Sequence, residues 1–433
     1  MRPFIWLNAT AFITFSMASV PVSAGGFYLQ EQSPIAEGRA FAGEAANAES
    51  AATVFYNPAG MARLPGTNVD AGSHVLFIDS AQTDRGSTRS AAGGLGSFPT
   101  GGGNGGNPFS QPIVVPSGYL STQIYDSRLW IGLGISAPFG VKVVYDPGWF
   151  GRYDSIRSDL KTLNIQPSAA FKINDHLSVG GGVDIQTLHA DLTNALPNVS
   201  PLLPDGMLRI KGQDMAFGWN VGIMGDVGPV RLGASYRSHI NHDLSGKVTI
   251  SGLITPLAAS NGATRGFAPI SLPDIATVGA VFGTGQFRLL AGASWYNWSR
   301  FARITVENSG VTFLDSEQGY RDTYSGSAGV EYDVTPKLTL RAGSMYDQTP
   351  TKNALRTTRV PDGNRTWASG GATFHVSKMT AVNLSYAHVF VKTEGINRID
   401  PLFSGTPAVT NISTRSTNGG NVDIIATSLA LHF

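Results

Sequence analysis

The sequence predicts an all-β chain: a 14-stranded antiparallel transmembrane β-barrel with an N-terminal hatch, or plug, inside the lumen. Three observations lead there. Apolar and small polar residues alternate with period two along many short stretches. Charged residues are scarce and glycines abundant. Tight connections alternate with long ones.

The alternation is clearest at the C-terminus, "NVDIIATSLALHF". Ile425, Thr427, Leu429, Leu431 and Phe433 fall on one face, and Ala426, Ser428, Ala430 and His432 on the other, as in a strand with two different surroundings. "RLWIGLGIS" sets Leu129, Ile131, Leu133 and Ile135 against Trp130, Gly132 and Gly134. "FGWNVGIM", "VRLGASYR" and "TAVNLSYAHV" repeat the pattern from Phe217, Val230 and Thr380. The face opposite the apolar one is polar but small, carrying Gly, Ser, Asn and Arg. In a soluble sandwich that face would meet bulk water and hold many charges. Here it suits a crowded wet lumen, with the apolar face turned to lipid.

Composition agrees. Only 14% of the 433 residues are Asp, Glu, Lys or Arg, and 52 are glycine, against roughly 25% charged residues in soluble proteins. The formal charge of +1 and the scatter of basic residues argue against nucleic acid as a partner. There is no cysteine for a disulfide staple. After residue 24 no stretch reaches the ~18 apolar residues of a membrane helix.

Six joints are tight: Asp126-Ser127, Asn174-Asp175, Val227 to Pro229, Gly283 to Gly285, Val334 to Lys337, and Ser377 to Met379. Seven are long: Ser80 to Pro112, Val141 to Arg157, Ala195 to Gln213, Ser251 to Pro273, Ser309 to Arg321, Thr351 to Gly363, and Glu394 to Gly420. Thirteen alternating connections imply fourteen strands with short turns at one rim. Closure into a barrel leaves no sheet edge unpaired in lipid. Tyr332, Trp367, Tyr386, Trp295 and Trp298 are expected in interfacial girdles near the strand ends or in their upper halves.

Three regions follow. Residues 1–24 have the form of a secretory signal: Arg2, an apolar run from Phe4 to Val20, and small residues ending at Ala24. Residues 67–433 supply the barrel. Residues 25–66 show no long alternation, are rich in Ala and Gly, and hold Phe27, Tyr28, Phe41, Phe55 and Tyr56. Fourteen strands enclose a lumen too wide for wall side chains to fill, so this segment is expected to plug it, turning at Asn57, Pro58 and Ala59. The segment carries Glu31, Glu37, Glu44 and Glu49 against Arg39 and Arg63. Arg231, Arg288 and Arg341 lie on the expected inward face and are candidate partners for those carboxylates. In "GISAPFGVK" of the third strand, Pro138 cannot donate to a ladder. Ala137, Pro138, Phe139 and Gly140 are therefore expected to form an inward kink that opens the wall.

"GRAFAGEAA", "NPAGM", "FGWNVGI", "YRS" at Tyr236, "LPD" at Leu272, "WSRF" at Trp298, "GYRDTY" at Gly319, "RVPDGNRTW" at Arg359 and the terminal Phe433 together resemble the FadL-type outer-membrane transporters of long-chain fatty acids and other hydrophobic molecules. The resemblance spans nearly the whole chain after residue 24. It implies a monomer in the bacterial outer membrane and a hydrophobic tunnel. It also implies passive uptake through a lateral gap, and a Phe433 that marks the chain for the barrel assembly machinery. Basic lumen residues that face the substrate carboxylate in the family fall at Asn194 and Ser316 here, both uncharged. Arg237, Arg303 or Arg321 are candidate substitutes; an uncharged aromatic hydrocarbon or alkane is the alternative cargo.

No enzyme, cofactor or metal site is expected. "GLGISA" matches a relaxed dinucleotide fingerprint but lies within a strand. His239 and His242 fall on opposite faces of theirs. An outer-membrane hydrolase and a general porin are the rival readings.

Overall fold

Where the apolar face of each strand meets lipid, backbone N–H and C=O groups have no water to turn to, so each strand must pair on both sides. The computed structural model describes residues 25–125 and 127–433; residues 1–24, where the sequence leads one to expect a secretory signal, and Asp126 of the first tight joint lie outside them. Fourteen wall strands follow one another: β1 (Thr67–Asp84), β2 (Ile113–Gln123), β3 (Leu129–Ser136 and Gly140–Val144), β4 (Arg157–Lys172), β5 (Leu177–Leu196), β6 (Gly206–Val227), β7 (Val230–Arg237 and Ile240–Ser251), β8 (Gly262–Leu272 and Ile275–Thr284), β9 (Phe287–Tyr296 and Arg303–Asn308), β10 (Val311–Glu317 and Thr323–Thr335), β11 (Leu338–Asp347), β12 (Arg365–His375), β13 (Thr380–Leu402) and β14 (Thr410–His432). Each pairs antiparallel with its neighbour. β14 returns to β1 from Asn68↔His432 to Asp84↔Ser416, which closes the barrel.

The alternation places side chains as the pattern requires. Ile131, Leu133 and Ile135 of β3, Phe217 and Trp219 of β6, and Leu384 and Tyr386 of β13 are exposed on the outside. Their neighbours Ser136, Asn220 and Ser385 are buried inside.

Two sequence expectations are corrected. The long connections shrink, because strands continue past the point where alternation ends. β5 reaches Leu196, β6 begins at Gly206, β13 reaches Leu402 and β14 begins at Thr410. β9 and β10 are joined by Ser309 and Gly310 alone. Beyond the lipid the outward face carries Arg, Lys, Asp and Thr, so the ladder persists without an apolar period to reveal it. Trp298 and Trp367 are not girdle residues: both are buried, at 0% and 1% exposure. Trp367 packs inward on Phe41, ring centroids 5.7 Å apart.

The N-terminal segment lies among the inward side chains. From Gly25 to Leu64 every residue is buried except Glu49, Tyr56 and Arg63, which are half-buried. It holds two single-turn helices, α1 (Pro34–Glu37) and α2 (Thr53–Tyr56), and a 3-10 turn, Pro58–Arg63. Ser33 caps α1. Asn57 is extended, and Pro58 opens the 3-10 turn, where a missing N–H costs nothing. The Asn57 Oδ1 accepts from Ala59 N at 3.1 Å, while its Nδ2 donates to Ile223 O (3.1 Å) and Ala234 O (3.4 Å) of β6 and β7. One side chain thus makes the turn and fastens it to the wall. Elsewhere backbone lies on backbone. A Cβ at Gly233 would sit 1.8 Å from Ala45 O, and one at Gly343 2.2 Å from Arg39 O.

Gly233→Val is therefore expected to weaken the seating of residues 25–66 by about 1–3 kcal/mol while the wall still closes. Limited proteolysis should cut within that segment faster, with the heat-modifiable mobility of the barrel unchanged.

Candidate functional site

The wall departs from its ladder at β3. Below, β3 pairs with β2 from Gln123↔Trp130 up to Gly118↔Ile135. Above that point β2 pairs on its other side with β1, and the upper half of β3 pairs with β4 alone, from Gly140↔Lys161 to Val144↔Arg157. The β3–β4 register changes by one residue across Ala137–Phe139, the count of a β-bulge, which bends the strand that carries it. Pro138 supplies no donor. The bent strand meets the N-terminal segment instead of β2. Leu29 N donates to Pro138 O (2.8 Å), Gly140 N donates to Phe27 O (2.9 Å), and Tyr28 bridges Phe139. Phe139 itself stays tied to β4, donating from its N to Thr162 Oγ1 at 3.0 Å.

Around this junction the interior is aromatic. The Phe27 ring lies 4.9 Å from Trp298, 5.1 Å from Phe301 and 6.1 Å from Phe139. Tyr320 lies 5.7 Å from Trp298, and Tyr28 5.5 Å from Tyr296. Among the described residues, Trp298 Nε1 and Tyr320 OH are buried with no hydrogen-bond partner. Gly25 N donates to Asp347 (3.1 Å) and Gly26 N to Asp362 (3.0 Å), which anchors the start of the segment against β11 and the β11–β12 connection.

The candidate lumen residues separate. Arg303 is on the outside, half exposed and paired with Asp315 at 2.6 Å. Arg321 is exposed and donates to Thr349 O. Arg237 is inside but engaged: it pairs with Asp184, donates to Gln166 Oε1 (3.0 Å) and Phe55 O (2.9 Å), and lies over the Phe55 ring at 4.6 Å. Asn194 and Ser316 are buried inside. Each bonds an arginine that the sequence pattern did not single out: Arg359 donates to Asn194 Oδ1 at 3.1 Å, and Arg398 donates to Ser316 Oγ at 3.0 Å. Both arginines are almost fully buried. Asp154 lies 3.8 Å from Arg359, and Asp400 accepts from Arg398 at 2.6 Å. Arg359 sits within "RVPDGNRTW", so the motif marked the place without the role; Arg398 has no local signal.

The carboxylates of the N-terminal segment also separate. Glu49 meets Arg341 at 2.9 Å and Arg288 at 3.7 Å. Glu44 pairs with Arg39 of its own segment. Glu37 accepts from Ser385 at 3.0 Å and lies 3.4 Å from His74, and the Glu31 carboxylate has no bonded partner among the described residues. Arg231 pairs with Asp226, which also takes Arg63. The hub was not foreseen: Glu331 of β10, fully buried, accepts from Arg39 (2.7 Å), Arg288 (2.8 Å) and Arg341 (3.0 Å). A cavity of 610 Å³ at the short-turn end is lined by Glu49, Asp226, Arg231, Arg288, Asp333 and Arg341, among others. Phe433 closes the seam at this rim, exchanging backbone bonds with Thr67 at 2.8 and 3.0 Å. His239 and His242 bond Asp274 and Asp214, each at 3.0 Å. Among the described residues no group of three His, Asp or Glu is placed to hold a metal ion.

Glu331→Gln removes the carboxylate shared by two buried guanidinium groups, those of Arg39 and Arg341, and by the half-buried Arg288. About 3–5 kcal/mol of stability should be lost, as when one partner of a buried ion pair is removed. Denaturant unfolding in detergent should show a lower midpoint, with release of residues 25–66 ahead of the wall.

Comparison with known proteins agrees with the geometry. The family described as "Outer membrane protein transport protein (OMPP1/FadL/TodX)" matches residues 15–433. Outer membrane protein P1 of Haemophilus influenzae is 25% identical over 99% of this chain and 98% of its own. The long-chain fatty acid transport protein of Escherichia coli O6:H1 is 25% identical over 87% and 90%. The crystal structure of a Pseudomonas aeruginosa FadL homologue superposes with a TM-score of 0.83 at 25% identity, covering 94% of this chain and 100% of that one. The Ralstonia pickettii toluene transporter TbuX shares the fold with a TM-score of 0.65 at 21% identity over 93% and 99%. A closed barrel with lipid-facing alternation, matched along its length, places the chain in the bacterial outer membrane: it belongs to the OMPP1/FadL/TodX family of outer-membrane transport proteins.

Proposed function

We propose that this chain is a passive outer-membrane channel for long-chain fatty acids, plugged by residues 25–66 as a hatch and opening laterally beside Ala137–Gly140. The observation that carries the reading is the upper edge of β3. It has left β2, and its backbone groups at Pro138 and Gly140 are bonded to Leu29 and Phe27. A shift of those few hatch residues frees an edge in the wall beside an aromatic-lined interior. The alternative exit past the hatch leads through the 610 Å³ cavity lined by charged side chains, which an acyl chain enters only by losing its favourable apolar surroundings. The family and its relatives support transport of hydrophobic compounds in general.

An acid head group is favoured by Arg359 and Arg398, which stand beside Asn194 and Ser316, and by the donors of Trp298 and Tyr320, which have no acceptor among the described residues. A carboxylate accepts charge-assisted bonds from such groups; toluene accepts none. In a transporter-deleted strain carrying this chain, labelled oleate should enter well above background and labelled toluene should not. Arg359→Gln should reduce oleate uptake about tenfold at limiting concentration, the effect of losing one charge-assisted bond. Replacing Ala137–Gly140 by a regular strand sequence should abolish uptake and leave the folded barrel intact. Normal uptake by that variant would refute the lateral route.

A further inference from the structure

The outward face of the upper wall carries a charge arrangement that barrel architecture alone does not explain. Lys247 of β7 stands directly opposite Lys211 of β6 on one side and opposite Arg265 of β8 on the other. All three are exposed and point outward. Side chains directly opposite across a ladder have Cβ atoms roughly 5 Å apart, and like charges there are destabilising. Among the described residues Lys247 and Arg265 have no carboxylate within salt-bridge distance, and Lys211 reaches Asp191 only at 3.9 Å. That carboxylate is already held by Arg209 through bonds of 2.8 and 3.0 Å. Within salt-bridge distance the four cations Arg209, Lys211, Lys247 and Arg265 therefore share one carboxylate, Asp191, which Arg157 also approaches at 3.9 Å; Glu307, opposite Phe267 in the ladder, is the nearest outward carboxylate on the other side and bonds neither Lys247 nor Arg265.

Its height and footing indicate what could sit on it. On β6 the outward residues Ile223, Val221, Trp219, Phe217 and Met215 form an unbroken apolar run. Lys211 lies four residues farther along, on the order of 10 Å above Met215 for a strand tilted by about 40°. Phe267, 47% exposed, lies next below Arg265 on the same face. Cations over an apolar band match an amphiphile whose anionic groups lie just outside its acyl chains.

We propose that Lys211, Lys247 and Arg265, flanked by Arg209, form a docking site for the phosphorylated sugar head of the outer-leaflet glycolipid, lipopolysaccharide. Its phosphates supply the missing counter-charge, with Arg265 offering a fork and the two lysines point charges. Its acyl chains lie along Phe217 and Met215. The site fixes one lipid at β6–β8, on the wall beyond the hatch from no part of which it draws a residue.

The test uses the full-length barrel in detergent, wild type and K211Q/K247Q/R265Q, titrated with deep-rough lipopolysaccharide and with the same lipid after phosphate removal. Bound lipid is counted by native mass spectrometry. K378Q, altered in a tight turn at the opposite rim, controls for loss of charge. The wild type and K378Q should bind the phosphorylated lipid at least tenfold more tightly than the dephosphorylated one, and the triple variant should lose that preference. Equal binding of both lipids by the wild type, equal binding by the triple variant, or an equal loss in K378Q would each overturn the site. Unchanged heat-modifiable mobility shows that the variants fold.

Discussion

The structure depends on one constraint: a strand facing lipid must satisfy its backbone on both edges. Thirteen ladders and the β1–β14 seam meet it around most of the wall. The upper half of β3 meets it differently. Its edge toward β2 is met at Pro138 and Gly140 by the backbone of Phe27–Leu29, a piece of strand added from within, and at Val144 by Pro108 O of the β1–β2 connection. Wall and N-terminal segment are thus parts of one hydrogen-bonded system, and a displacement of the N-terminal residues is also a change in the wall.

What holds residues 25–64 in place follows from the same economy of space. Wall glycines let their backbone approach within contact distance, Asn57 fastens their turn to β6 and β7, and Glu331 gathers arginines from this segment and from two strands. A buried ion cluster of this kind contributes little net stability, since desolvation opposes the Coulomb gain. Its value is positional: the arrangement is satisfied in one placement of Arg39 and Glu49 against β9, β10 and β11. The polar cluster at the short-turn end and the aromatic one beside β3 divide the interior chemically.

Strand identity was legible because lipid imposes a strict period on the outward face, as in Phe217, Trp219 and Val221. Beyond the bilayer that demand stops, and the continuations of β5, β6, β13 and β14 read as loops. Pro138 announced the break in β3 because proline cannot serve a ladder. The pairing of Glu49 with Arg341 was foreseeable from charge and face, whereas Glu331 was not, since a lone acid on an inward face has no sequence pattern. Arg359 and Arg398 escaped for a related reason. Their positions depend on the packing of the β11–β12 connection against β13, a long-range contact that no spacing encodes. Trp298 and Trp367 misled because aromatics serve girdles and interiors alike.

The enclosure of residues 25–64 has a consequence for the order of biogenesis. The segment precedes β1, and β1 finds its second neighbour only when the last strand, β14, arrives. The seventeen residue pairs of that seam, from Asn68↔His432 to Asp84↔Ser416, enclose the segment in the finished protein. The sheet curls around its own beginning, so the last strand both completes the wall and shuts the earliest described residues inside it.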